Sequence, residues 1–208
     1  AVRQEGRDRI IHLDIDVIAG GGRITTRTLT LELIGKYSNI ILHEDGIITE
    51  ALRRIGENTS RVRTVFKGIP YTLPPVQDKY DLFTADITDI ITRIQSDSEA
   101  KLFQALIGAV FGFGPVSAKE ICFLAGLAPN ILISALDSSD FAEISRALTE
   151  LRTWMKEPAP SLRLDENGKV TAMAAFPLSE LPNTQRISYP TLSALMIDAD
   201  KRLGSYVI

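Results

Sequence analysis

GKYSNIILHEDGIITEAL, residues Gly35 to Leu52, places a polar turn before two apolar runs that are parted by Asp45-Gly46. Asp-Gly tolerates the positive φ that a tight hairpin turn demands. NIILHE and IITEAL are therefore predicted as the arms of a hairpin. Upstream, the Thr-rich RITTRTLTLELI reads as another strand, since β-branched residues suit a pleated surface. Earlier still, Ile11, Leu13, Ile15 and Val17 alternate with Ile10, His12, Asp14 and Asp16, the period of two of a half-buried strand. Ala19-Gly20-Gly21-Gly22 turns the chain between them. Residues 9 to 52 thus read as a run of antiparallel strands. The Pro-rich GIPYTLPP stretch cannot join an interior strand or a helix, so it is predicted as an extended surface segment that ends the β-rich part.

After Leu82 the period becomes helical. Ile87, Ile90, Ile91 and Ile94 share one face, and Leu102, Leu106, Ile107 and Val110 a second. A third helix follows GFGP, and Ser138 or Ser139 is predicted to cap a further one whose stripe is Phe141, Ile144, Leu148, Leu151 and Trp154. SLRLDENGKVTAMAAF reads as a small hairpin about Asn167-Gly168, and Pro190 opens a last helix through Leu203. The fold class is α+β in three parts: residues 1–82 β-rich with antiparallel hairpins, 83–136 helical and helix-hairpin-helix-like, and 137–208 α+β.

With 208 residues, 45% hydrophobic and 24% charged, the composition is that of an ordinary globular protein. The chain has no apolar run long enough for a transmembrane helix and no signal-peptide pattern, so a cytoplasmic location and no membrane partner are expected. The single cysteine, Cys122, lies in an apolar helical run and reads as a buried inert thiol. His12 and His43 lie in separate strands and have no HxxxH or HExxH neighbour, so ordinary strand positions account for them and no metal is expected. Neither a nucleophile motif nor a phosphate-loop motif is present, and AGGGR joins two strands where a dinucleotide site needs its glycines to open a helix. No catalytic residue and no cofactor is expected. The chain opens at Ala1 without methionine and reaches a strand within its first residues, which reads as a fragment or a processed chain.

A net charge of −3 hides a basic local stretch: Arg53, Arg54, Arg61, Arg63 and Lys67 stand against Glu57. In the opening turn, Lys36, Ser38 and Asn39 supply polar groups and Tyr37 a flat surface on which a base can stack. In FGFGPVSAKEI, Gly112 and Gly114 can turn backbone N–H groups outward at a helix start, with Lys119 as a counter-charge for phosphate. Ser117 and Glu120 stand at capping-box spacing there. A tight turn between packed helices explains the same glycines without any ligand.

DRIIHLDI, LTLELIGKYSNIIL, DGIITEALRRI, GIPYTLPPVQDKYD and FGFGPVSAKEI, in this order, resemble NFACT-N, the N-terminal region shared by fibronectin-binding protein A-like proteins, bacterial RqcH proteins and eukaryotic NEMF. The resemblance runs from about Arg7 to Arg202. It implies a factor of ribosome-associated quality control that binds a large ribosomal subunit obstructed by peptidyl-tRNA and recruits tRNA, in bacteria alanyl-tRNA, to tail the stalled chain. It also implies a body like that of formamidopyrimidine-type DNA glycosylases, and it places the family's tRNA-related Asp-Arg pair on Asp8 and Arg9. The family turn often reads Gly-Arg-His-Ser-Asn where this chain has Gly-Lys-Tyr-Ser-Asn, which keeps the charge and loses arginine's fork. Upstream strands with a helix, and a downstream coiled coil, belong to the family pattern and are not in this sequence. The rival readings are a fibronectin-binding adhesin and a glycosylase-like DNA-binding protein.

Overall fold

The computed structural model describes residues 1–56, 63–179 and 185–204, and the chain divides into two compact units, Ala1–Gln77 and Asp78–Ile208.

The first unit is a 5-stranded antiparallel meander in the order β1-β2-β3-β4-β5. Its strands are β1 (Val2–Gln4), β2 (Ile10–Ile18), β3 (Ile24–Glu32), β4 (Asn39–Glu44) and β5 (Ile47–Ala51). The Asp45-Gly46 turn has φ of 51° and 75°, both in the left-handed region that only a short polar residue and glycine enter readily. Gly35–Tyr37 forms a 3-10 turn between β3 and β4. Period two holds along β2, yet the deeply buried face is the one bearing Ile10 and His12, while Ile15 on the other face is exposed.

The cause is the segment that follows β5. Gly68 N–H donates to the Ile48 carbonyl at 2.8 Å and Tyr71 N–H to Gly46 at 2.7 Å, so residues 68–71 lie along the β5 edge. Gly68, at φ 90°, forms a bulge in which Ile48 N–H reaches the carbonyl of the next residue, Ile69. Pro70 bridges Ile47 at the edge, the one place in a sheet where a residue lacking N–H is tolerated. Val65, Ile69 and Tyr71 then close over Ile41, Ile48 and Ala51 as the core of this unit.

The second unit begins before the expected boundary, because Leu82 is buried in the helical core. The helices are α1 (Ile87–Gln95), α2 (Leu102–Ala109), α3 (Pro115–Leu124), α4 (Ser138–Lys156) and α5 (Leu192–Leu203). Ile90 and Ile94 of α1, Leu102 and Leu106 of α2, Ile121 of α3 and Ile144, Leu148 and Leu151 of α4 form one core; Phe141 and Trp154 are its partly buried margin. Ala172, Phe176 and Leu178 belong to the same cluster, so the stretches 83–136 and 137–208 share it. Asp137 caps α4 through a capping box with Asp140, one residue earlier than the serines predicted, because a carboxylate accepts from Ser139 and Asp140 N–H at once. Thr191 caps α5 and Pro190 stands just outside. The predicted hairpin is β6 (Ser161–Leu164) with β7 (Val170–Ala174), and a short strand with no alternating signal, β8 (Gln185–Ser188), pairs on the other side of β6. α5 packs on this sheet through Leu195 and Ala199 against Leu162 and Leu164. Among the described residues no helix is long and apolar enough to cross a membrane.

Candidate nucleic-acid interface

Asp8 and Arg9 close the turn between β1 and β2. Asp8 N–H donates to Glu5 at 2.9 Å, the Gln4 amide to the Asp8 carbonyl at 2.8 Å, and Leu33 N–H to the Arg9 carbonyl at 2.8 Å. The pair is therefore held through its own backbone, by Glu5 and the Gln4 side chain on one side and by Leu33 on the other, which leaves its side chains free of these bonds. Asp8 Oδ1 accepts the Arg9 N–H at 2.7 Å and, among the described residues, Oδ2 has no hydrogen-bond partner. The Arg9 guanidinium is exposed and, among the described residues, in no ion pair.

Both residues line a cleft of about 250 Å³ with Tyr37, Ile34 and Ile55, walled by Pro74, Pro75 and Gln77. Its floor carries Glu32 and Arg63. The Glu32 carboxylate, although 2% exposed, accepts both arms of Arg63 at 2.9 and 2.7 Å and the Tyr71 hydroxyl at 3.0 Å. Arg63 also lies 5.2 Å from the centroid of the Tyr71 ring. Burial, then the neighbouring Glu32 charge, pushes the Tyr71 hydroxyl well above its ordinary range, so it stays protonated and donates its hydrogen bond to Glu32 throughout neutral pH.

Beneath the same ring, His43 stacks on Tyr71 with centroids 4.7 Å apart and planes 5° from parallel. His43 Nε2 lies 3.0 Å from Thr30 Oγ1, which lies 2.8 Å from His12 Nδ1. A hydroxyl holding one proton between two imidazoles donates to one and accepts from the other, so the three groups order one another. The histidines and Glu32 are the site residues that sequence reasoning missed. The available signal was that His12, Thr30, Glu32 and His43 share one face of adjacent strands, which requires the register: His12 pairs with Thr30 and Thr28 with His43.

Burial first, then the His12 and Arg3 charges, holds His43 below its ordinary value of 6.5, against an opposing pull from Asp14. The unfolded chain therefore takes up a proton near pH 6.5 that the folded chain refuses until lower pH. Stability is full above that value and is lost as pH falls from it toward the lower folded pKa. Thermal midpoints measured from neutral to mildly acidic pH are expected to fall more steeply for the wild type than for His43→Gln. Parallel profiles would show that the imidazole contributes nothing to the acid response.

The other predicted residues divide. Tyr37 is 66% exposed with the Lys36 ammonium 5.0 Å from its ring centroid, and Lys67 is exposed. Ser38 is half-buried and its N–H closes the 3-10 turn on Gly35. Asn39, in contrast, is turned inward: its amide donates to the Arg53 carbonyl and accepts the Arg53 and Ile40 N–H groups, clamping the β5 exit to the β4 start. Arg63 is drawn into the Glu32 pair on the cleft floor. Arg61 lies outside the described residues.

In the second unit, Gly112 takes φ 77° and Gly114 is the N-cap of α3, with no side chain capping it and Lys119 exposed nearby in sequence. Ser117 and Glu120 form no capping box. With the cap at Gly114, Glu120 falls on the inner side of α3, where its buried carboxylate accepts Ser179 N–H at 2.9 Å. Cys122 is buried.

The model of the NFACT N-terminal and middle domains matches residues 1–198. The chain belongs to this family. Among curated relatives, the Rqc2 homolog RqcH of Bacillus subtilis is 33% identical over 145 residues, which is 69% of this chain and 25% of that protein. The Rqc2 homolog RqcH of Streptococcus pneumoniae is 27% identical over 58% of this chain and 22% of that protein. This NFACT chain thus spans about a quarter of the length of the curated relatives it matches. The fold agrees with a fibrinogen binding protein of Staphylococcus aureus at TM-score 0.73 and 24% identity, covering 94% of this chain and 67% of that one. It also agrees with the N-terminal part of the fibronectin/fibrinogen-binding protein of Streptococcus suis at TM-score 0.64 and 22% identity, covering 97% and 66%. At these identities the likeness concerns the fold alone.

Proposed function

We propose that the chain is the tRNA- and large-ribosomal-subunit-binding module of a ribosome-associated quality-control factor that supports C-terminal tailing of stalled chains, with alanyl-tRNA the natural partner in a bacterium. It performs no chemistry of its own and needs no cofactor. The observation that carries the reading is the Asp8-Arg9 pair, held by its backbone at a sheet end with an unpartnered carboxylate oxygen and an unpaired guanidinium among the described residues, beside an exposed aromatic ring. A carboxylate oxygen accepts from a base amine, a guanidinium forks onto phosphate, and a ring stacks on a base, which are the three contacts that unpaired RNA offers. Family membership and the RqcH relatives support the same assignment.

Arg9→Ala is expected to weaken tRNA binding by about 1–3 kcal/mol while leaving the melting temperature unchanged, since no apolar core is lost. Asp8→Ala should weaken it without altering the salt dependence, because it removes no positive charge. Unchanged affinity in both variants would sink the assignment, as would a fall in melting temperature large enough to explain the loss.

The names of the structural relatives favour a second reading, a fibrinogen- or fibronectin-binding surface. Immobilised fibronectin presented beside tRNA separates the two. A glycosylase-like body is consistent with the α2-turn-α3 element, whereas a single buried cysteine leaves this chain without a cysteine zinc finger of the kind such enzymes commonly carry.

A further inference from the structure

Tyr37 lines the cleft, and the carbonyl of its neighbour Lys36 accepts the Arg53 guanidinium at 2.6 Å. From there the surface continues along the β5 side. Arg53 and Arg54 are exposed, and Leu52 between Ala51 and this pair is 71% exposed. Gly68 N–H donates to Ile48, so the preceding residues, Phe66 at 38% exposure and the exposed Lys67, stand beside the same strand. Glu50 is the acid set among these cations. It is paired with Arg54 at 3.1 Å, and the Ala51 N–H, Arg54 and the Lys67 charge together hold its carboxyl below the usual range. Among the described residues, cations on the strip therefore outnumber Glu50, and they are interleaved with Tyr37, Leu52 and Phe66, which folding leaves partly or largely exposed. Phe66 keeps 38% of its surface exposed beside Lys67 and the arginines. It offers a stacking platform whose rim neutralises phosphate.

We infer that Arg53, Arg54, Phe66 and Lys67 form a binding strip for an unpaired RNA segment, which carries the strand onward from the Asp8-Arg9 cleft. This rests on the RNA reading of the cleft and adds to it a path and a ligand form. Base faces lie on Phe66, with Leu52 as an apolar contact, while Arg54 and Lys67 take the phosphates. Because stacking platforms accept any base, the strip contributes affinity and direction while the cleft contributes selection.

The test uses the whole 208-residue chain, with fluorescent tRNA, an unstructured RNA of about 12 nucleotides and the duplex of the same sequence, titrated between about 50 and 200 mM salt. Arg54→Gln with Lys67→Gln is expected to reduce the salt slope for the unstructured RNA by about 1.4, equivalent to about 25-fold in affinity near 0.1 M salt. Phe66→Ala is expected to cost about five- to hundredfold with the slope unchanged, and to leave duplex binding as it was. Melting temperatures check each variant, and Arg54→Lys with Lys67→Arg, which keeps both charges, should restore the slope. Wild-type affinity in the glutamine variant, with Arg9→Ala still impaired, overturns the strip and spares the cleft. The converse pattern supports the strip and overturns the assignment of Arg9. A neutral Phe66→Ala, or equal losses for duplex and single strand, overturns unpaired RNA as the ligand. No RNA binding by the wild type overturns both.

Discussion

Glu32→Ala is expected to lower the unfolding free energy by about 3–5 kcal/mol, the usual cost of removing one partner of a buried ion pair. The Glu32 side chain is 3% exposed and that of Arg63 10%, so the guanidinium left behind has little water to replace the carboxylate. The Tyr71 hydroxyl loses its acceptor in the same step. The replacement of both charges together is expected to behave differently. Glu32→Leu with Arg63→Met removes the pair without stranding either member, and its stability should lie well above that of Glu32→Ala, short of the wild type by the hydrogen bond that Tyr71 still loses. Urea unfolding of the two variants separates the cost of an orphaned charge from the net worth of the bridge. If Glu32→Ala costs less than about 1 kcal/mol, solvent already reaches Arg63 and the cleft floor is wetter than described. Glu32→Ala should also weaken tRNA binding, because the Arg63-Glu32-Tyr71 cluster ties residues 63–71 to the sheet and so sets where Pro74 and Pro75 wall the cleft.

Leu148→Ala is expected to cost about 2–5 kcal/mol, because this α4 side chain is 0% exposed in the helical core and its truncation leaves a cavity there. Ile144 and Leu151 on the same stripe and Ile121 of α3 are buried in the same core. Phe141→Ala, at the partly buried margin of that stripe, should cost distinctly less despite removing more atoms. Thermal unfolding followed by helix circular dichroism measures both. Equal losses would mean that burial along α4 is uniform, contrary to the structure.

Much of the fold was legible because strong local rules agreed with the tertiary outcome. Asp45-Gly46 forces a tight turn wherever it sits between apolar strands, and the α1 and α4 stripes have only one face to bury. Where local signals were weak, they failed. β1 and β8 are short strands with no alternating pattern, formed because a neighbour offers a free edge. The Ser117/Glu120 spacing matched a capping box, but Gly114 begins α3 and thereby turns Glu120 toward the core.

The site divides along the same line. Sequence by itself determined that a charged pair precedes β2, that a basic-aromatic turn lies between β3 and β4, and that prolines follow β5, since each depends only on neighbouring residues. Which of those groups face solvent was decided by tertiary structure alone. Arg63 looked as free as Lys67, yet it is buried against Glu32, while Asn39 spends its amide on Arg53 and Ile40. The physical reason is that a buried polar group needs a partner: Arg63 and Tyr71 reach Glu32 only when the segment after β5 folds back over the sheet, while Thr30 joins His12 to His43 only through the register of β2, β3 and β4.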